Sequence, residues 1–517
     1  MKSWRIYGCI VGLAVSLLAV AAPARRSGRS TLLPNGDSMT VYTHGDEFFH
    51  WETDAKGNWI ERQKDGSYLQ VPALSESEIR ARRMASPAWR EAQAHRTAAA
   101  VMPQRGVIIL VSFSNLDFTT NTDSLKLALT QHGFTNDRGA VGSASDYFAL
   151  CSNGRYTPEF DVWGPYKLSQ TYSHYAGSTG MANGPAMARE ACDSAVVDGK
   201  SFAPYTTSAK TVPFVFILYA GKDWAMGNPG YVWAHQYYIN SSHGGYTIQK
   251  YACSSEIGGN PTDGLYPNGI GTFCHEFSHI LGLPDYYVTG NDASSNPNYD
   301  YTNGMWNLMD YGCYNNGGWT PCLYSAYDRY FMGWETPQLL NAAYNDTVPV
   351  TGSVTGGSTR VITAGGTMPS STYRDWAWYI ENRQQTGWDA YLPGHGLIVT
   401  KVQYNSSSWG GNIVNNNSPM LYDIQEAGGK LDYFGSPSDP FPGTYKVRTY
   451  TPTGSYTLSE ITEQPDGKVT YKFMGGVTGL TEEQVEGKKA KVVLKDGIVV
   501  IQRDNSYYTL TGQQICK

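Results

Sequence analysis

The stretch "TFCHEFSHILGLPDYY", Thr272–Tyr287, decides how the rest of the chain is read. Residues i and i+4 of a helix share a face, so His275 and His279 present two imidazoles to one point in space. Glu276, next to the first histidine, projects toward water held at that point. Gly282 stands where the helix must stop and the chain reverse, which glycine permits by taking a positive φ. Leu283-Pro284 then leads to Asp285, whose carboxylate can swing back as a third ligand. Two imidazoles, one carboxylate and an open position suit catalytic Zn²⁺, with Glu276 as general base and acid. Two alternatives stand beside this reading. The histidines could be core residues, which leaves a buried Glu276 unexplained, or Asp285 could cap the helix end while His235, His243 or His174 completes the site.

A second element agrees with the first. "WNLMDY" places Met309 some way downstream and Tyr311 two positions later. In zincins with an extended motif, a turn carrying a buried Met lies beneath the metal. Taken alone, Met309 would be ordinary core filler. A tyrosine at the position of Tyr311 can donate its hydroxyl to a developing oxyanion, or it can simply pack. Cys274 points to another helix face, where it is packed or disulfide-bonded.

Outward from these motifs, the region from about Arg105 to Leu340 reads as α+β. Val107–Val111 and Val212–Ala220 are apolar runs that suit central strands of a sheet covered on both faces. "GSASDYFALCSNGRY" reads as a capped helix ending in a turn at Asn153-Gly154, and "SAYDRYFMGW" as amphipathic. Beyond Asn341, "DWAWYIENRQ", "GLIVTKVQY" and "KVTYKFMGG" are strand-like segments between Gly, Pro, Asn and Ser. The fold expected is therefore an α+β, metzincin-like zincin domain (105–340) followed by an antiparallel β-sandwich-like domain (341–476). The final stretch, 477–517, carries a hairpin signal with Asp496-Gly497 at the turn.

The N-terminus reads as an export signal. Lys2 and Arg5 precede a short apolar run, Ile10–Val20, and small residues from Ala19 to Ala24 offer cleavage after Ala21 or Ala24. The alternative is an uncleaved anchor, although about 20 apolar residues are needed to cross a bilayer. Residues 25–104 combine hairpin turns at Lys56-Gly57 and Asp65-Gly66 with a polar helix opened by Ser75 and Glu78. This is a pro-segment or a permanent accessory module. In a zymogen, Arg105-Gly106 would be the activation site, and Asp37, Asp46, Glu47 or His50 could reach the metal.

Composition excludes some partners. Of 517 residues 16% are charged and 13% aromatic, and the net charge is −6 with no long basic run, so nucleic acid is a poor partner. No segment after the leader is long and apolar enough to span a membrane. Of the eight cysteines, Cys9 lies in the leader, which leaves seven for an oxidising compartment. Cys313 with Cys322 is the pairing expected across a short Asn- and Gly-rich loop. The oxygen-rich stretch Gly290–Gly304 lacks EF-hand spacing; it is a polar loop or a structural Ca²⁺ site.

The sequence resembles the immune inhibitor A-like family of secreted metallopeptidases. The resemblance rests on "FCHEFSHILGLPDYY", "WNLMDYG" and "PCLYSAYDRYFMGW", and extends more weakly to "GSASDYFALCSNGRY" and "WYIENRQQTGWDAYLPGHGLIV". It covers roughly Arg105 to Gly476. It implies zinc on His275, His279 and Asp285, Glu276 as catalytic acid and base, bound calcium and a pro-segment. One departure is Ser278, where the family has glycine. The C-terminal stretch is similar to short tails that direct outer-membrane secretion and surface attachment in some Gram-negative bacteria. The function expected is a secreted or surface-attached zinc endopeptidase acting on protein or peptide substrates. The rivals are a binding protein on the same fold that has lost proteolysis, and a zinc hydrolase of non-peptide bonds.

Overall fold

The computed structural model describes residues 20–24, 28–45, 49–63, 65–75, 78–79, 81–82, 104–208, 210–262, 264–289, 302–353, 356–370, 373–416, 418–429, 434–476, 490–495, 498–503, 506–508 and 514–516. The leader up to residue 19, most of the polar helix after Ser75, residues 290–301 of the candidate calcium stretch Gly290–Gly304 and the turn at Asp496-Gly497 lie outside them.

The two apolar runs form neighbouring central strands, as their patterning requires. Arg105–Ser112 lies between Thr211–Lys222 and Glu159–Lys167 and is parallel to both. On the far side Thr211–Lys222 pairs in parallel with Tyr246–Asn260, which makes an antiparallel hairpin with His235–His243. Both faces are covered. Ile108 and Leu110 point into a core shared with the helix Gly271–Leu281, whereas Val107, Ile109 and Val111 point into a core shared with the helix Gly184–Val197. Alternate side chains of one strand thus bind helices on opposite faces, which is why the run is apolar throughout.

The helix Ala144–Cys151 forms where expected, with Ser143 and Asp146 in a reciprocal cap. Ser325 and Asp328 cap Ala326–Phe331 in the same way. Each cap supplies acceptors to backbone N–H groups that the first turn cannot satisfy internally.

The C-terminal strands form two sheets. One runs in the order Gln338–Leu339, Arg360–Thr363, Ala377–Arg383, Gly396–Val402, Tyr422–Ile424; the other in the order Tyr344–Val348, Val469–Phe473, Tyr456–Glu463, Tyr450–Thr453. Ile362, Trp378, Ile380, Leu397 and Val399 of the first pack with Val348, Leu458, Val469 and Phe473 of the second. The opposite face of the first sheet, through Val361, Tyr379, Ile398 and Tyr422, belongs to the core that holds Phe273 and Phe277 of the motif helix. The hydrophobic core therefore runs without a break across residue 340. A buried ion network reinforces the junction: Arg329 meets Glu335 at 2.8 Å and Glu381 at 3.2 Å, and Arg383 meets Asp389 at 2.6 Å.

Two further modules flank this body. Residues 29–70 make a five-stranded antiparallel meander, in which Trp51 stacks on Trp59 with ring centres 5.0 Å apart. At the other end, Ala490–Lys495 and Ile498–Arg503 pair as a hairpin, with Lys495 opposite Ile498.

One expectation is overturned. Cys313 and Cys322 do not form a disulfide; both are buried free thiols, as are Cys151, Cys192, Cys253 and Cys274. The Cys313 thiol instead turns to the Asp310 carbonyl at 3.3 Å. Short spacing brought the two cysteines into one neighbourhood, but side-chain direction, which spacing does not encode, kept them apart.

Candidate metal centre

Every residue of the helix Gly271–Leu281 is buried. Its N-terminal end touches the turn after Met309 so closely that a Cβ on Gly271 would lie 1.8 Å from the Cys313 carbonyl oxygen. Only glycine fits there. At the other end Gly282 takes φ 112°, and the chain reverses as its position implied. Ser278, the departure from glycine, donates to the Cys274 carbonyl at 2.6 Å and meets the Tyr324 hydroxyl, so its polar atom is satisfied inside the core.

Three side chains converge beyond the helix. His275 Nε2 lies 3.1 Å from His279 Nε2, and Asp285 Oδ1 lies 3.2 Å and 3.3 Å from these two atoms. All three residues are buried, and this is the one group of His, Cys, Asp or Glu among the described residues with spacing suited to a metal ion. His235, His243 and His174 are not in it. His235 is held by the Trp233 carbonyl at 2.6 Å and the Tyr251 hydroxyl at 2.5 Å, and burial pulls its pKa down to about 4. His243 is held by Asp193 at 2.7 Å.

The donor set fits a cation. His275 Nδ1 donates to the Leu308 carbonyl at 2.8 Å, and His279 Nδ1 to the Leu283 carbonyl at 2.7 Å. With both Nδ1 atoms committed as donors, the neutral rings turn Nε2 lone pairs toward each other and toward Asp285. Burial holds His279 below its ordinary pKa. Burial pushes the Asp285 carboxyl up, but the adjacent His279 and His275 rings outweigh it and bring it down to about 2. Asp285 Oδ1 has no hydrogen-bond donor of its own. Three lone-pair donors face one another in a site without water access, an arrangement that a divalent ion would relieve and that neutral packing would not.

The supporting residues come from well-separated segments. The Met309 carbonyl accepts the Tyr286 N–H at 2.9 Å, which ties the turn after the helix to the Met309 turn. Asn307 Oδ1 accepts the Met309 N–H at 2.7 Å, and its Nδ2 donates to Asp328 at 3.1 Å. Asn412, Asn415 and Asn416 reach in from the far side: Asn412 holds Asp285, Asn415 donates to the Tyr286 carbonyl at 2.7 Å, and Asn416 accepts the Thr289 N–H at 2.9 Å. The sequence reading missed these asparagines. The only signal was the polar run "GGNIVNNN" among strand-forming segments.

Glu276 projects from the same helix turn as His275. Its Oε1 accepts the backbone N–H of Ala22 at 2.6 Å. Residues read as the end of the leader thus lie in the cleft: Val20–Ala21 pairs antiparallel with His235–His243, and the Tyr311 hydroxyl donates to the Ala24 carbonyl at 2.7 Å. The two described latency candidates, Asp37 and His50, are not in the His275, His279 and Asp285 group. The His50 ring packs against Trp224 and Trp233, with centres 4.8 Å and 5.2 Å apart, Asp37 is exposed, and Asp46 and Glu47 lie outside the described residues. Arg105 and Gly106 begin a paired strand, with Gly106 buried.

Residues 214–336 match the family described as immune inhibitor A peptidase M6, catalytic domain. A "Putative secreted metallopeptidase" of Arthroderma benhamiae is 26% identical over 212 residues, covering 34% of this chain and 29% of that protein. The match thus spans less than a third of the relative's length. The resemblance read from the motifs is thus supported over residues 214–336, the segment that carries the site, which is similar to a metallopeptidase catalytic domain. No described helix is long and apolar enough to cross a membrane.

Proposed function

From this metallopeptidase segment we propose that the protein is an exported, zinc-dependent endopeptidase, with His275 Nε2, His279 Nε2 and Asp285 holding the metal and Glu276 as general base. One observation carries the proposal. The helix that contributes two ligands also aims the Glu276 carboxylate at the nitrogen of a peptide group lying in the cleft. When bound, zinc supplies Lewis acidity, which makes water nucleophilic near neutral pH and polarises a carbonyl. Glu276 takes the proton of the attacking water on its carboxylate and passes a proton to the nitrogen of the leaving amine. The Leu308 and Leu283 carbonyls fix the histidine tautomers, and Asn412 fixes the Asp285 carboxylate. Met309 forms the floor and Gly282 the reversal that returns Asp285. The Tyr311 hydroxyl, read from its spacing as the candidate donor to the oxyanion, holds the Ala24 carbonyl in this structure and would have to leave it for the carbonyl preceding the Ala22 nitrogen to take that role.

Residues 25–104 are read as a pro-segment, supported by the packing of His50 against Trp224 and Trp233. The two C-terminal sheets are read as a sandwich-like support that carries Asn412 to the site. A structural calcium in Gly290–Gly304 completes the proposal.

The test is cleavage of denatured casein by the purified protein. Activity lost to a chelator and restored by stoichiometric Zn²⁺ supports the reading. Cleavage indifferent to chelation, or none at all after limited proteolysis of the N-terminal region, would set it aside.

A further inference from the structure

Residues 20–24 lie along the cleft as a peptide ligand would. Val20 and Ala21 add an antiparallel strand to the edge of the catalytic sheet, opposite Gln236 and His235. Past Ala21 the ladder ends, and side chains take over the peptide groups one by one. Glu276 Oε1 accepts the Ala22 N–H at 2.6 Å, and Trp233 Nε1 donates to the Ala22 carbonyl at 3.0 Å. The Tyr314 hydroxyl donates to the Pro23 carbonyl at 2.9 Å, and the Tyr311 hydroxyl to the Ala24 carbonyl at 2.7 Å. Three successive carbonyls thus each meet a side-chain donor. These contacts read only backbone, which every peptide has.

The side chains of the segment meet a different constraint. Ala22 is fully buried, and Ala24 packs in a small cluster with Ala225 and Trp233. A larger residue at either position must push aside close-packed walls.

Resting on the endopeptidase reading above, we propose that this cleft binds an extended peptide through the edge of His235–His243, with Trp233, Tyr314 and Tyr311 as carbonyl donors. It selects small side chains at the two positions held here by Ala22 and Ala24. Because Glu276 faces the Ala22 nitrogen, these are the first and third residues after the bond to be cut. Trp233 and Tyr314 are positioning residues, and in the chain that still carries its leader residues 20–24 compete with substrate for them.

The experiment uses the unprocessed chain, with residues 1–24 retained, carrying Ala22→Trp, whose own segment no longer fits, and a probe peptide acetyl-Val-Ala-Ala-Pro-Ala-amide. Binding is read by intrinsic tryptophan fluorescence, independently of cleavage. The peptide should bind this variant more tightly than it binds the wild-type chain. Trp in place of its second Ala should weaken binding at least tenfold. Adding Tyr314→Phe, and separately Trp233→Phe, should each raise Kd about tenfold, the effect of one lost hydrogen bond. Equal binding of both peptides, no effect of either Phe substitution, or no binding at all overturns the proposal. Selective binding without any proteolysis would uphold this recognition and remove the endopeptidase reading. Proteolysis indifferent to residue size after the cut would do the reverse.

Discussion

Asn412 grips Asp285 at two points: its Nδ2 donates to Asp285 Oδ2 at 2.6 Å, and its Oδ1 accepts the Asp285 backbone N–H at 2.7 Å. The pair leaves Asp285 Oδ1 aimed at His275 and His279. Asn412 sits at φ 47°, in the left-handed region that asparagine tolerates better than most residues. The segment between the strands Gly396–Val402 and Tyr422–Ile424 thus reaches Asp285 of the candidate metal centre through Asn412, while Trp409 and Val414 of the same segment lie in the shared core.

Asn412→Ala should weaken zinc binding about 10- to 100-fold, the usual cost of losing a partner that orients a ligand. Asn412→Asp should weaken it too, because a second carboxylate beside Asp285 replaces a donor. Competition with a chromophoric chelator measures both. Affinity unchanged in Asn412→Ala would mean that the helix reversal alone positions Asp285.

Asp223 supplies a pH test away from the ligands. It is fully buried, with Oδ1 accepting the Ala225 and Ala234 N–H groups at 2.9 Å and 3.1 Å, and burial pushes its pKa from 3.8 up to about 7. Between these values the folded protein keeps a proton that the unfolded chain has released. The contribution is fully present below pH 3.8 and is lost as pH rises through about 7. Asp328 and Asp423, raised to about 6 by burial, slope the same way, so a comparison of chains is needed. Relative to Asp223→Asn, the wild-type chain should lose stability from pH 4 to pH 7. Parallel Tm curves for the two proteins would contradict this.

The six buried thiols should resist alkylation in the folded protein and react together on unfolding. Burial pushes the Cys151 thiol up to about 12 and moves Cys192, Cys253, Cys274, Cys313 and Cys322 in the same direction. The thiolate is the reactive form, so both access and ionisation are denied. Mass shifts with maleimide before and after denaturation test this. Early labelling of Cys313 or Cys322 would count against the packing described.

Local chemistry made much of this site legible in advance. The i, i+4 spacing of His275 and His279, the glycine at 282 and the aspartate three residues on fix a local geometry that a helix and its end must realise. The two buried strands were equally plain, because a strand covered on both faces has no polar side. Asn412 was not legible. It lies 127 residues from Asp285, and an asparagine in a polar run carries no mark of its partner. The Cys313–Cys322 pairing failed for a related reason, since proximity in sequence does not set the direction of a side chain. The chain's own segment in the cleft was hidden as well, because Val20–Ala24 has the small-residue composition of a leader's end.

In the proposed mechanism Glu276 moves the protons of peptide hydrolysis. Glu276→Gln, compared with the wild-type chain at equal measured zinc content on a denatured protein substrate, tests it most directly. Zinc affinity close to that of the parent is expected, with a fall in kcat of about 100-fold or more, since general acid–base catalysis contributes about 10²- to 10⁴-fold. Cleavage at the parental rate by the zinc-loaded variant would contradict it.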